Sequence, residues 1–360
     1  MSLQNASIPD NLSSAALNDS QDGTHANQCH DFEDWKATLL GVYILLVAVL
    51  GIIFNVFVLM VFCLHKKACT VAEIYLSNLA AADLILVCCL PFWAVYAYNK
   101  FNWPYDDFMC PMITLTIVMN ACCSIYFLVL VSIDRYLALV HPLSNREIRG
   151  PKHAKLGCLL VWFMGLLLGI PSLIYRKTKH IPTCNKTVCH MAFPSENLEQ
   201  VSEGLLILFS FIIPISIISF CTFKIIHSLN NRVHSRNSEQ KAATLILAVL
   251  AAFLVCWTPF HLVKIVEMFH RAKIFKEEMI LEIFKNIVMY IAFFNSVLNP
   301  ILYVIVGKKF RKKVKEFFMQ CSNKRTGLHS FHSKHSYVTR RTIVSMSGQS
   351  TRLPFHKEHA

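Results

Sequence analysis

Residues 37–64 read ATLLGVYILLVAVLGIIFNVFVLMVFCL, a run without one charged side chain and with a single amide, Asn55. A helix rises about 1.5 Å per residue, so this run is long enough to cross a hydrocarbon core about 30 Å thick. Barrel strands are about ten residues long and alternate apolar with polar positions; this run does neither. Working outward, comparable runs appear at 74–99, 111–133, 156–175, 204–223, 242–263 and 286–306. The fold class that follows is an all-α membrane protein, a seven-transmembrane helix bundle over 37–306. A short amphipathic cytoplasmic helix is expected at 307–320, between the bundle and a disordered tail at 321–360. Composition agrees, with 54% hydrophobic and 16% charged residues, whereas soluble chains carry about a quarter charged. A water-soluble enzyme is excluded on that ground, and no nucleophile–base set or metal cluster suggests catalysis.

Basic residues orient the bundle. They gather between the third and fourth runs (Arg146, Arg149, Lys152, Lys155), between the fifth and sixth (Arg232, Arg236, Lys241) and after the seventh. From Lys308 onward there are 13 Lys or Arg and two acids, whereas the stretch before the first run holds six acids against Lys36. Positive segments stay in the cytosol, so the amino terminus is expected outside and the carboxyl terminus inside, at the plasma membrane. The basic tail faces anionic lipid rather than nucleic acid. No basic-then-apolar leader precedes the first run, which is expected to serve as the export signal. Asn5, Asn11, Asn18 and Asn185 each begin a glycosylation triplet, and all four fall in segments assigned to the outside, which makes residues 1–36 an extracellular glycosylated tail. Of the 14 cysteines, Cys29, Cys110, Cys184 and Cys189 lie on the oxidising side, and four allow three pairings. In one of these, Cys110 with Cys189 ties the third span to the second outer loop and leaves Cys29 with Cys184. Cys321, past the basic stretch, is a candidate palmitoylation site.

Ionisable and polar groups at membrane depth default to function. Asp83 sits mid-span in Leu79-Ala80-Ala81-Ala82-Asp83, and the third span ends Ser132-Ile133-Asp134-Arg135-Tyr136. Asn55 and Trp162 interrupt the first and fourth spans. Cys256-Trp257-Thr258-Pro259 kinks the sixth, and Asn299-Pro300-Ile301-Leu302-Tyr303 closes the seventh. Each of these is weak alone; in this order, on successive spans, the chain resembles the rhodopsin-like (class A) G-protein-coupled receptors. The resemblance implies a switch: Arg135 pairs with Asp134 and at rest reaches Glu239, Pro259 is the hinge, and release lets Arg135 meet a G protein. It also implies a sodium site at Asp83, Ser124 and Asn295; the alternative for Asp83 is a neutral, hydrogen-bonded acid. One departure is Thr222, where the family usually has Tyr.

Absences narrow the ligand. Amine receptors need a carboxylate where this chain has Ile117, and opsins need a Lys where it has Phe293. Instead Glu199, Glu267 and Glu282 fall at the tops of the fifth, sixth and seventh spans, over Trp93, Phe260 and Phe293. Carboxylates over an aromatic floor suit a cationic peptide whose arginine pairs and stacks. A plainer reading makes them solvated loop ends balanced by Arg271, Lys273, Lys276 and Lys285. Longer stretches favour the first. Cys69-Thr70-Val71-Ala72-Glu73-Ile74-Tyr75-Leu76, Leu90-Pro91-Phe92-Trp93-Ala94 and Val304-Ile305-Val306-Gly307-Lys308-Lys309-Phe310-Arg311 are similar to the kinin (bradykinin) receptors.

That resemblance places ligand-binding acids on Glu267, Glu282 and Glu199, with Glu where Asp is usual at the first two. Val118 stands where the subtype for des-Arg kinins carries Lys, which favours the type 2 (intact kinin) subtype. Arg176 would meet the peptide carboxylate, and apolar ligand side chains would pack toward Trp93, Phe260 and Trp257. The family's cysteine in the third outer loop is missing here, which leaves Cys184 as the candidate partner of Cys29. The implied partners are a basic kinin peptide, a Gq-class G protein acting through phospholipase C and calcium, and arrestin after phosphorylation of the Ser- and Thr-rich tail. No cofactor is implied beyond the sodium ion. A receptor for another short peptide, such as an angiotensin-like one, is the nearest alternative. A transporter or channel is more remote, since neither inverted repeats nor a charged path is visible.

Overall fold

The computed structural model describes residues 34–64, 69–141, 150–230, 237–271, 279–305, 307, 310–320 and 322. Within these, side chains at 229–230, 237–246, 250, 270–271 and 279–286 are not described. The chain runs α1 (Asp34–Cys63), α2 (Val71–Tyr98), α3 (Met109–Val140) and α4 (Pro151–Tyr175), then a hairpin of β1 (Arg176–Ile181) and β2 (Lys186–Met191). The fifth span is α5 (Glu196–Ile207) and α6 (Ile213–Asn230), joined by a wide π-type turn at Leu208–Ile212. Next come α7 (Asn237–Arg271), α8 (Met279–Ile305) and a last helix, α9, over residues 310–320. Seven of these segments are long and apolar enough to cross a membrane.

Every span is present. The helices nevertheless overrun the apolar runs: α3 continues to Val140 rather than 133, α4 starts at Pro151 rather than 156, and the fifth span starts at Glu196 rather than 204. Apolar composition marks the thickness of hydrocarbon, whereas a helix ends only where its backbone finds a cap. Gly150 precedes Pro151 at the start of α4, and Ser195 Oγ accepts from Leu198 N–H (3.4 Å) at the start of α5. In α2 the Glu73 carboxylate accepts from the Thr70 N–H (2.8 Å).

The packing is inverted relative to a soluble protein. Leu159, Phe163, Leu166 and Leu173 of α4 face outward, while Asn55, Asp83, Asn120, Ser124, Asn295, Ser296 and Asn299 are buried. Lipid explains the first set; the second must satisfy itself inside. The Asn55 amide nitrogen does so by donating to Gly51 O and Ser296 O, both at 2.9 Å, which ties α1 to α8. Gly51 is required there, since a Cβ would sit 2.5 Å from Val87 Cγ1 on α2. Trp162 Nε1 donates to Asn78 Oδ1 (3.0 Å), joining α4 to α2. Past α8 the backbone turns at Gly307, where a Cβ would lie 2.3 Å from Tyr303 O. The turn seats Phe310 of α9 against Phe57, Phe62 and Tyr303, and Lys313 pairs with Glu73 at 2.9 Å.

At the opposite end of the bundle β1 and β2 pair antiparallel, Arg176 opposite Met191 through Ile181 opposite Lys186. Asn185 takes the left-handed turn at the tip with φ 48°. A disulfide joins Cys110 at the start of α3 to Cys189 in β2, one of the pairings open at the sequence level. Cys29 lies outside the described residues, so its pairing with Cys184 is not described.

Candidate functional site

The mouth of the bundle, at the hairpin end, is built from α5, α7 and the hairpin. Glu199 lies in the first turn of α5, where the helix N-terminus favours an anion. One turn on, Glu203 reaches α7: Lys264 Nζ lies 3.2 Å from Glu203 Oε1 and 3.0 Å from Glu267 Oε2. Glu267 is thus one arm of a carboxylate–ammonium–carboxylate bridge between two spans. Neither Glu203 nor Lys264 had been singled out. The available signal was spacing: Glu203 follows Glu199 by four residues and Lys264 precedes Glu267 by three, which puts each pair on one helical face. Glu282 belongs to α8, and its side chain is outside the described residues.

The expected aromatic floor divides into two packed groups. Trp257 stands edge-on to Phe260 (5.9 Å) and stacks near Phe253, while Trp93 and Phe293 pack with Tyr96 and Tyr290. Trp93, Trp257 and Phe293 are buried, whereas Phe260 and Val118 are partly exposed. His261 stacks on Phe211 (4.4 Å), seating α7 against the π-type turn of the fifth span. Tyr126 helps define that turn by donating to Phe209 O at 2.7 Å. Arg176 donates from Nε to Cys189 Sγ (3.3 Å), so it is anchored at the disulfide. Burial lowers its pKa, with Tyr96 partly opposing; a guanidinium nonetheless stays charged.

Mid-bundle, Asp83 collects four neutral donors. Its Oδ1 accepts from Asn120 Nδ2 (2.9 Å), Ser296 Oγ (2.9 Å) and Ser124 Oγ (3.4 Å), and its Oδ2 from Asn299 Nδ2 (3.0 Å). Ser124 is where sequence reading put it. Asn295 is buried as well, with no hydrogen-bond partner on either amide atom, while Asn120, Ser296 and Asn299 join Ser124 in bonding the carboxylate.

Toward the end where α9 lies, Arg135 pairs with Asp134 at 2.8 Å, with Asp134 nearly enclosed. Tyr136 Oη meets His141 Nε2 at 3.1 Å. Pro259 and Pro300 lie inside α7 and α8, and Tyr303 is buried. Glu239 is within α7, with its side chain outside the described residues. Asn5, Asn11, Asn18 and Cys321 are also outside them, whereas Asn185 is exposed at the hairpin tip.

A seven-span bundle with a disulfide-held hairpin, a polar hub at mid-depth and an Asp–Arg pair at the other end describes a membrane receptor rather than an enzyme. Residues 54–303 match the family model described as 7 transmembrane receptor (rhodopsin family). The chain is 40% identical over 356 residues to the B2 bradykinin receptor of Rattus norvegicus, covering 95% of this chain and 90% of that protein. It is 40% identical over 344 residues to the B2 bradykinin receptor of Homo sapiens, covering 92% and 88% respectively. Against the B1 bradykinin receptor of Macaca mulatta, identity is 36% over 313 residues, covering 84% and 89%. The chain therefore belongs to the rhodopsin family of G-protein-coupled receptors and, within it, to the bradykinin receptors, closer to the B2 than to the B1 type. It is a multi-pass protein of the plasma membrane.

Proposed function

We propose that the chain is a cell-surface receptor for a basic, kinin-type peptide, coupling through a Gq-class G protein to phospholipase C and calcium release. The hairpin end faces outside with the amino-terminal tail, and α9 and the tail beyond it face the cytosol. The observation that carries the reading is the acidic mouth: Glu203 and Glu267 converge from two spans on one ammonium, which gathers two carboxylates where a guanidinium would dock. The printed names of the relatives support the same peptide class. Glu199 and Glu282 complete the acidic set, and the partly exposed Phe260 gives an apolar contact. Binding that favours the open inner face shifts the population toward it and frees Arg135 for the G protein.

The test is calcium release from cells expressing the full chain, challenged with an arginine-ended kinin, its des-Arg form and an angiotensin-like peptide. The arginine-ended kinin is expected to be most potent, and Glu267→Gln with Glu282→Gln to weaken it far more than the des-Arg form. Equal loss for both peptides, or a stronger response to the angiotensin-like peptide, would overturn the reading.

Asp83 suits a sodium ion in the resting receptor. Besides the Asp83 carboxyl group and Ser124, the Oδ1 atoms of Asn120 and Asn299 are buried and have no hydrogen-bond partner, which offers a set of hard oxygen donors. Agonist affinity should fall when sodium replaces choline in the buffer, and Asp83→Asn should abolish that dependence. Glycans on the outer Asn sites, palmitate on Cys321 and arrestin recruitment by the phosphorylated tail belong to the same proposal.

A further inference from the structure

Lys264 is held between carboxylates of two spans, and the side chains of Lys264, Glu203 and Glu267 keep only 22%, 18% and 15% of their exposure. A cation that enters the mouth must compete for these carboxylates with an ammonium tethered to the same helix as Glu267, hence present at high effective concentration. A ligand lysine offers the same compact, strongly hydrated ammonium and gains nothing by exchange. A ligand arginine offers a planar fork of five donors, less strongly hydrated, that can pair with both carboxylates at once. We propose that Lys264 is a specificity-determining residue: as a built-in competitor, it makes the mouth select arginine over lysine in the peptide. The inference rests on the kinin reading above and deepens it.

The experiment is competition binding to membranes from cells expressing the full chain. The probes are an arginine-ended kinin and the same peptide with lysine or citrulline in place of that arginine. In Lys264→Met the lysine peptide should gain about tenfold, while the arginine peptide moves less and the citrulline peptide stays put, so the arginine-to-lysine preference narrows. In Lys264→Arg the bridge is retained, and the tethered guanidinium should weaken the arginine peptide by about tenfold. An unchanged preference in Lys264→Met, or the same shift for all three peptides, overturns the inference and leaves the kinin reading standing. Should Lys264→Met fail to reach the membrane, an unchanged arginine affinity in Lys264→Arg overturns it. Failure of the arginine peptide to bind the wild type overturns the kinin reading and this inference together.

Discussion

Asp83 and Glu267 are both acids in a low-dielectric bundle, yet they are held in opposite ways. Asp83 is wholly enclosed and accepts from neutral amides and hydroxyls of α3 and α8. Glu267 keeps some exposure and shares a charged partner with Glu203. Neutral donors in a dry core have nowhere else to turn, so removing their acceptor strands them. An ammonium shared by two carboxylates that keep some exposure can give way to another cation, which a donor set sealed in the core cannot do. The midplane carboxylate is therefore a hub that fixes how α2, α3 and α8 meet, and the mouth carboxylates form an exchangeable site. The same residue chemistry does structural work in one place and recognition in the other because of burial.

The sharpest way to break this contrast is Asp83→Ala beside Glu203→Gln. The first strands Asn120, Ser296 and Asn299 and should cost about 3 kcal/mol of stability, whereas the second should cost less than about 1 kcal/mol. Asp83→Asn keeps one acceptor and should recover much of the loss. Thermal unfolding in detergent measures all three, and equal destabilisation by Asp83→Ala and Glu203→Gln would end the distinction. Next in size is the hairpin that roofs the mouth. Removing the Cys110–Cys189 bond with a serine pair should cost about 2 kcal/mol, at the low end of the usual range because Trp103 N–H still donates to Thr187 O (2.7 Å) and pins the strand. Agonist affinity should fall more in this variant than in Asp83→Asn, since the mouth loses its roof while the hub is intact.

How much of this was legible in sequence follows from which interactions are local. Every span could be read because hydrocarbon thickness is written as apolar length, and the Asp134–Arg135 pair because its members are adjacent. Asp83 stood out as an acid in an apolar run. Two of its partners did not: Asn120 and Ser296 are ordinary polar residues until three helices are packed together. Lys264 was passed over because it precedes the last turns of an apolar helix, and only the approach of α5 gives it a second carboxylate. The π-type turn at Leu208–Ile212 leaves no trace in a uniformly apolar segment. The β-hairpin, unread in the loop, depends on Asn185 reversing the chain and on the disulfide holding β2 over α3.

The smallest expected effect concerns the charge of the roof itself. His190 of β2 has its pKa lowered, chiefly by burial, with Lys179 and Arg176 adding to the shift and a backbone bond to Lys177 opposing it. An unfolded histidine titrates near 6.5. Because the folded value lies lower, the unfolded chain takes up the proton first, so this residue's contribution is complete above about pH 6.5 and declines as the pH falls toward the folded value. Below the folded value the contribution levels off. The thermal midpoint should therefore drop slightly between pH 7 and pH 5, and His190→Gln should remove that part of the slope. A cationic roof also repels a cationic peptide, so affinity for the arginine-ended kinin should weaken over the same pH interval, and less so in the variant. If acid instead tightened the peptide while destabilising the fold, the roof and the acidic mouth would not act on the ligand with opposite signs.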